Sequence, residues 1–181
     1  MAPVKFTVFG GSGFIGSHLV RHLTATGHEA VVAPRDVSAD DLLNGPELGH
    51  VVYAIGTTGN FRENPHLAIE AHVDRLVELI RAGRYSSWLY LSSTRTYGRL
   101  PLDEPAGESK EIPIMPSADA IYDLSKLLGE AVCLAVDKPS VRIARLSNVY
   151  GSGQSSTTFL GAVLDELRKS HAVTIGEAPD S

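Results

Sequence analysis

The glycine cluster Gly10-Gly11-Ser12-Gly13-Phe14-Ile15-Gly16 follows directly on the short apolar run at residues 4–9. It constrains the fold more than any other stretch. The run reads as a buried strand. The residues after the cluster carry Ile15, Leu19, Val20 and Leu23 at helical spacing, and Gly27 fits the left-handed position that ends such a helix. The glycines satisfy G-x-x-G-x-x-G through Gly10, Gly13 and Gly16, and G-x-G-x-x-G through Gly11, Gly13 and Gly16. A tight turn, a close approach of backbone to pyrophosphate and close helix–strand packing each need a residue without a side chain. The first N–H groups of the helix then face the anion. A glycine motif alone is weak evidence, but the strand before it and the helix after it are the context that supports a dinucleotide site.

Further strands are expected at residues 30–33, 51–55, 88–91 and 141–146, with helices at 65–82 and 120–136. Strand alternating with helix predicts an α/β fold, a doubly wound parallel sheet covered on both faces. Only residues 34–50 separate the second and third strands, with room for a short helix at 40–43. The sheet is therefore expected to be shortened after strand two, in the order 2-1-3-4-5, with at most a vestigial additional strand. Another helix at 156–170 and a short strand at 173–175 follow. The chain then stops in Pro179-Asp180-Ser181, a loop-like end that suggests continuation in a longer protein. The expected organisation is a dinucleotide-binding domain at 1–154 and the start of a truncated C-terminal substrate-binding region at 155–181.

With 181 residues, 43% hydrophobic, the chain has the length for one domain with a full core. Its net charge of −5 gives no electrostatic footprint for nucleic acid or an anionic membrane. No apolar run approaches the roughly 20 residues of a membrane span, and no signal-peptide pattern opens the sequence. A single cysteine, Cys133, excludes an internal disulfide and a cysteine metal cluster. A reduced, cytoplasmic setting is the expectation. His18 and His22 have the spacing of a two-histidine metal site, but no third ligand accompanies them, so no metal is expected.

Leu91-Ser92-Ser93-Thr94-Arg95-Thr96-Tyr97-Gly98 begins at the carboxyl end of the fourth strand, the edge at which open α/β sheets bind ligands. Tyr122-Asp123-Leu124-Ser125-Lys126 lies inside a helix, with Tyr122 and Lys126 four apart on one face. A free tyrosine ionises near pH 10 and is a poor base. A neighbouring ammonium stabilises the phenolate. Ser93, Tyr122 and Lys126 are the candidate catalytic residues. Ser93 would hold a substrate oxygen beside the tyrosine, and Lys126 would also bond the nicotinamide ribose. After the second strand comes Ala33-Pro34-Arg35-Asp36. An acid near this point suits the ribose of NAD, whereas Arg35 suits the 2′-phosphate of NADP and Asp36 is a displaced acid. The expected cofactor is NADP or NAD, with Arg35 tilting toward NADP. Thr57-Thr58-Gly59-Asn60, after the third strand, reads equally as a cofactor contact or a plain loop. Asp103, Glu104, Glu108 and Glu111 read as a solvated loop.

The stretches GGSGFIGSHL (10–19), LSSTRTYG (91–98), YDLSKLLGE (122–130) and RLSNVYG (145–151) resemble an extended short-chain dehydrogenase/reductase of the NAD-dependent epimerase/dehydratase family, over nearly the whole chain. The resemblance implies an NAD(P)-binding Rossmann fold. It implies an oxidoreductase or isomerase of nucleotide-sugar metabolism, acting as an epimerase or a 4-keto reductase. It also implies Tyr122 as base, Lys126 as its partner, Ser93 and Thr94 beside the substrate, Asn148 near the nucleotide-sugar phosphate, and homodimerisation through the helices at 68–81 and 122–136. Thr94 and Arg95 stand where sugar 4,6-dehydratases carry an Asp-Glu pair, so water elimination is not expected. Where the family often has Asn after strand three, the aligned residues are Ile69-Glu70-Ala71-His72. The alternative reading is a catalytically silent NAD(P)-binding module, or an inactive cofactor-binding fragment of a longer enzyme.

Overall fold

The computed structural model describes residues 2–57, 61–101, 103, 105–156 and 159–171. Five parallel strands form one sheet: β1 (Lys5–Phe9), β2 (Glu29–Val32), β3 (His50–Tyr53), β4 (Ser87–Ser93) and β5 (Val141–Leu146). Their order is β2-β1-β3-β4-β5, the order expected from the sequence. The switch in winding falls between β1 and β3, so the loop after β1 opens at the crevice where such sheets take ligands. The described helices are α1 (Phe14–Ala25), α2 (Ala39–Asn44), α3 (Pro65–Ile69), α4 (Arg75–Ala82), α5 (Ile121–Ala135) and α6 (Phe159–Ser170).

The register aligns Phe9 with Tyr53 and Tyr53 with Tyr90. Because side chains alternate along a strand, Trp88 joins the same face as Tyr90. The rings of Phe9, Tyr53, Trp88 and Tyr90 lie 5.7–6.3 Å apart in neighbouring pairs, in the tilted and stacked range that aromatic packing favours. Leu76, Leu79 and Ile80 of α4, with Cys133 of α5, close this core. Burial pushes the Cys133 thiol up to about 12, which leaves it an inert packing group. Thr7 is tolerated inside the central strand because its hydroxyl donates to the Leu48 carbonyl at 2.7 Å.

In the short crossover between β2 and β3, α2 is the regular element. Ser38 and Asp41 form a reciprocal capping box at its start, and the Ser38 hydrogen bonds hold the Asp41 carboxyl below its ordinary range. No sheet strand lies in this gap among the described residues, not even the vestigial one expected.

The helix expected at 65–82 is present but is not regular throughout. Between α3 and α4 the turn widens into a π-helical segment, Glu70–Asp74. The Tyr53 hydroxyl donates to the Ala71 carbonyl at 2.6 Å, and the Tyr90 hydroxyl lies 3.5 Å from the His72 carbonyl. The wider turn thus places helix carbonyls where two core phenols need acceptors, and it turns His72 fully inward.

The chain divides into two compact units, Met1–Asn148 and Val149–Ser181. In the second unit, α6 exposes Leu164 and Leu167. The strand expected at 173–175 lies outside the described residues, as do Thr58, Gly59, Asn60 and Glu104. No described helix is long and apolar enough to cross a membrane.

Candidate cofactor and redox site

The turn after β1 closes with the Gly13 N–H donating to the Gly10 carbonyl at 3.0 Å. Gly10 has φ 77°, and a side chain there would lie 2.7 Å from the Ala54 backbone at the end of β3. At Gly16 a side chain would stand 2.3 Å from the Gly10 carbonyl oxygen, so only glycine lets α1 pack this close to the turn. Gly13 caps α1 without a side-chain hydrogen bond, and the first turn holds no acid. The N–H groups at Phe14, Ile15 and Gly16 therefore keep their donors for an outside acceptor. Facing the same edge from beyond β3, the Thr57 hydroxyl is shielded yet has no hydrogen-bond partner among the described residues. A bare helix N-terminus and a buried hydroxyl without a partner, both in loops at the carboxyl edge of the sheet, fit a pyrophosphate-bearing ligand.

Arg35 and Asp36 are exposed just past β2. The loop that carries them is held from behind by Arg75, whose guanidinium donates to the Val37 carbonyl at 2.7 Å and to the Arg35 carbonyl at 3.4 Å. Arg75 is in turn paired with Glu78, which accepts from the Ala39 N–H at 3.1 Å.

Ser93 ends β4. Its oxygen accepts the Arg95 N–H at 3.1 Å and so starts the 3-10 turn Thr94–Arg99. Tyr122 stands in the first turn of α5, brought to the same edge. Burial raises its phenol above the ordinary tyrosine value, while a hydrogen bond with Ser93 and the Arg95 charge work in the opposite direction. Lys126, one turn on, is only 5% exposed. Its Nζ donates to the Leu91 carbonyl at 2.9 Å and lies 5.2 Å from the centre of the Tyr90 ring. Desolvation brings its ammonium down to about 8, with Glu130 acting against that. Thr94 spends its hydroxyl on the Leu146 carbonyl at 3.3 Å, and Asn148 is exposed beyond β5. The structure thus gathers Ser93, Tyr122 and Lys126 at the sheet edge onto which the glycine turn opens, with Ser93 near enough to the Tyr122 phenol to favour its ionised form.

The whole chain except its termini, residues 6–178, matches the NAD dependent epimerase/dehydratase family. The chain belongs to that family. Among curated relatives, it is 30% identical to a dTDP-6-deoxy-L-talose 4-dehydrogenase (NAD(P)(+)) from Kitasatospora kifunensis, over 94% of this chain and 60% of the relative. It is 26% identical to UDP-glucuronic acid decarboxylase 1 of Arabidopsis thaliana, over 82% of this chain and 40% of the relative. Among solved structures, a UDP-glucose 4-epimerase of Thermus thermophilus in complex with NAD superposes with a TM-score of 0.68 at 27% identity, over 89% of this chain and 60% of that one. The chain spans about 40–60% of the length of these relatives.

Three residues beside the candidate site are not singled out by the sequence motifs. Arg95 appeared there only as a departure from an acidic pair, yet its guanidinium reaches the Tyr122 ring. Asp123, 1% exposed, was an unremarked helix residue. His72 stands edge-on to the Tyr122 ring at 5.2 Å. Burial and the Lys126 charge hold the His72 imidazole down to about 3, so it stays neutral at ordinary pH. Ser125 donates its hydroxyl proton to the Tyr122 carbonyl, so it must accept from His72 Nδ1 at 2.9 Å. That fixes the Nδ1–H tautomer and leaves Nε2 as a buried acceptor. Tandem glycine, serine and Y-x-x-x-K signals are local; none of these three contacts is.

The depressed Lys126 predicts a measurable stability slope. Between about pH 8 and the ordinary lysine value of 10.5, the unfolded chain holds a proton that the folded chain has lost. Stability from this group therefore rises with pH across that window. Wild type should gain on Lys126→Met by on the order of 2–3 kcal/mol from pH 8 to 10.5, and their difference should be flat below pH 8. Urea denaturation at a series of pH values checks it, and parallel curves would contradict it.

Proposed function

We propose that this chain is the cofactor-binding and proton-transfer part of an NAD(P)-dependent enzyme acting on a nucleotide-activated sugar, as an epimerase or a 4-keto reductase. The observation that carries the reading is the gathering of Ser93 at the end of β4 and of Tyr122 and Lys126 on α5 at the sheet edge onto which the bare N-terminus of α1 opens. A bound nicotinamide supplies hydride acceptance and return. The chain's own residues do the rest. Phe14, Ile15 and Gly16 offer backbone N–H groups to the pyrophosphate. Lys126, whose Nζ has donors left beyond the one given to the Leu91 carbonyl, would bond the ribose. Ser93, whose oxygen is already occupied by the Arg95 N–H, has its hydroxyl hydrogen available for a shared oxygen. Tyr122 takes the hydroxyl proton of the sugar when that carbon is oxidised and returns a proton when the ketone is reduced. Thr94 and Asn148 are placed toward the sugar nucleotide in this reading. The relatives' names support the substrate class, since they act on dTDP- and UDP-sugars.

Titration with NAD, NADH, NADP and NADPH, followed by a screen of nucleotide sugars on the chain extended past Ser181, tests the proposal. Failure of all four dinucleotides to bind overturns it. A recycled cofactor marks an epimerase, and stoichiometric consumption marks a reductase. Arg35 assigns the preference to NADP. Arg35→Ala is expected to weaken NADPH binding about tenfold or more, the worth of one charge-assisted hydrogen bond, and to leave NADH binding unchanged. Unchanged binding of both would assign Arg35 to the solvated loop, and equal losses would assign it to a contact that the two cofactors share. We also propose a homodimer through the α3–α4 and α5 faces, where Leu67, Ile69, Leu128 and Leu134 are exposed.

A further inference from the structure

The proton-transfer reading leaves open what stabilises Tyr122 as a phenolate. The sequence spacing points to Lys126, but Lys126 is committed to the Leu91 carbonyl and the Tyr90 ring. The cation against the phenol ring is Arg95. Its guanidinium carbon lies 5.2 Å from the centre of the Tyr122 ring and 4.9 Å from the centre of the Phe61 ring, and those two rings are 5.3 Å apart. Asp123 fixes the guanidinium in this place through an ion pair with Nε at 3.2 Å. Phe61 also carries over its ring the guanidinium of Arg62, which pairs with Asp119 at 2.7 Å.

We propose that Arg95 is a positioning residue of this site, whose guanidinium, held by Asp123 against the Phe61 and Tyr122 rings, favours the ionised phenol and orients Ser93 through its backbone N–H. The proposal rests on the reading of Tyr122 as the acid–base group. Its physics is simple. A guanidinium is always charged, so its attraction to the ring grows when the phenol loses its proton. Asp123, buried on the same helix, acts the other way. With both present, the buried carboxylate is neutralised and the phenol is spared its field. Without Arg95, the phenol loses a cation and feels more of the Asp123 charge. Among the described residues, the other groups around the ring are Ser93 from β4, neutral His72 from the π-helical segment, and Lys126 and Glu130 farther along α5. None of them supplies a permanent positive charge to the ring face. A permanent cation also fits proton exchange on a sugar hydroxyl better than elimination, which needs acids in this turn.

The test follows Tyr122 directly. A fluorinated tyrosine introduced at position 122 ionises in a range the fold tolerates, and its fluorine resonance reports the midpoint. Arg95→Met is expected to move the midpoint up, Arg95→Lys to keep most of the wild-type value, and Asp123→Asn to move it down. In the Asp123→Asn background, Arg95→Met should again move it up, and this pair remains informative if the single Arg95→Met variant folds poorly. An Arg95→Met midpoint unchanged or lowered in both backgrounds overturns the proposal. If the midpoint shifts as expected but the pH–rate profile of the extended enzyme does not follow, the charge coupling stands and the acid–base reading of Tyr122 falls.

Discussion

Tyr122→Phe is expected to lower turnover by about 10²–10⁴-fold, the range typical of losing a positioned acid–base group, while leaving dinucleotide affinity little changed. The separation follows from the geometry. On the proposed reading the phenol works with Ser93 on the substrate, whereas the glycine turn and the start of α1 that would hold the pyrophosphate are separate elements. The ring itself, packed against Phe61 and His72, is retained in phenylalanine, so the core should not suffer. Cofactor titration and single-turnover kinetics on the same variant check both halves. A variant that keeps its turnover would remove the redox assignment of Tyr122. A variant that loses cofactor binding as well would show that the hydroxyl serves the fold rather than the chemistry.

The second large effect is expected away from the reacting groups. Glu130 of α5 is 5% exposed and accepts from three side-chain donors. Ser92 of β4 donates at 2.5 Å, and Arg145 of β5 donates through Nε at 2.9 Å and through Nη2 at 2.7 Å. Arg145 also donates to the Tyr97 hydroxyl at 2.8 Å and stacks on its ring. The Glu130 hydrogen bonds hold the guanidinium pKa well above its ordinary value. This bidentate pair ties the helix that carries Tyr122 to the two strands beneath it. Arg145→Met leaves the carboxylate buried without its charge partner, which typically costs about 3–5 kcal/mol. For a chain of this size that lowers the melting midpoint by about 10 °C. The double variant Glu130→Leu with Arg145→Met removes both charges and should recover a good part of the loss, as whole buried pairs often can be replaced by apolar groups. Calorimetry on the three proteins decides it. No recovery in the double variant would mean that the damage lies in Ser92 and Tyr97 rather than in the unpaired charge.

Much of the architecture was readable because it is written in local patterns. The glycine spacing, the apolar runs of β1 and β3, and the short β2–β3 gap suffice to predict the sheet order that is found. The same holds for Ser93 at a strand end and for Tyr122 and Lys126 on one helix face. What escaped is non-local. The π-helical segment has no propensity signal, since residues 65–82 carry ordinary helical spacing. It arises because Tyr53 and Tyr90, on two strands, need acceptors at that height in the core. Arg95 was legible as a charge in a turn, but its place over Tyr122 depends on how α5 lies across β4.

Left to itself, the sequence determined the parallel sheet, its winding and the identity of the residues at its carboxyl edge, because strand and helix periods and glycine's missing side chain act over a few residues. Only the tertiary structure decided which charges meet. Lys126 is turned to a strand carbonyl, Arg95 is laid against the phenol, and Glu130 is locked to Arg145. These pairings join residues far apart in the chain, and their strength comes from desolvation when the helices seat on the sheet. No local period encodes that burial.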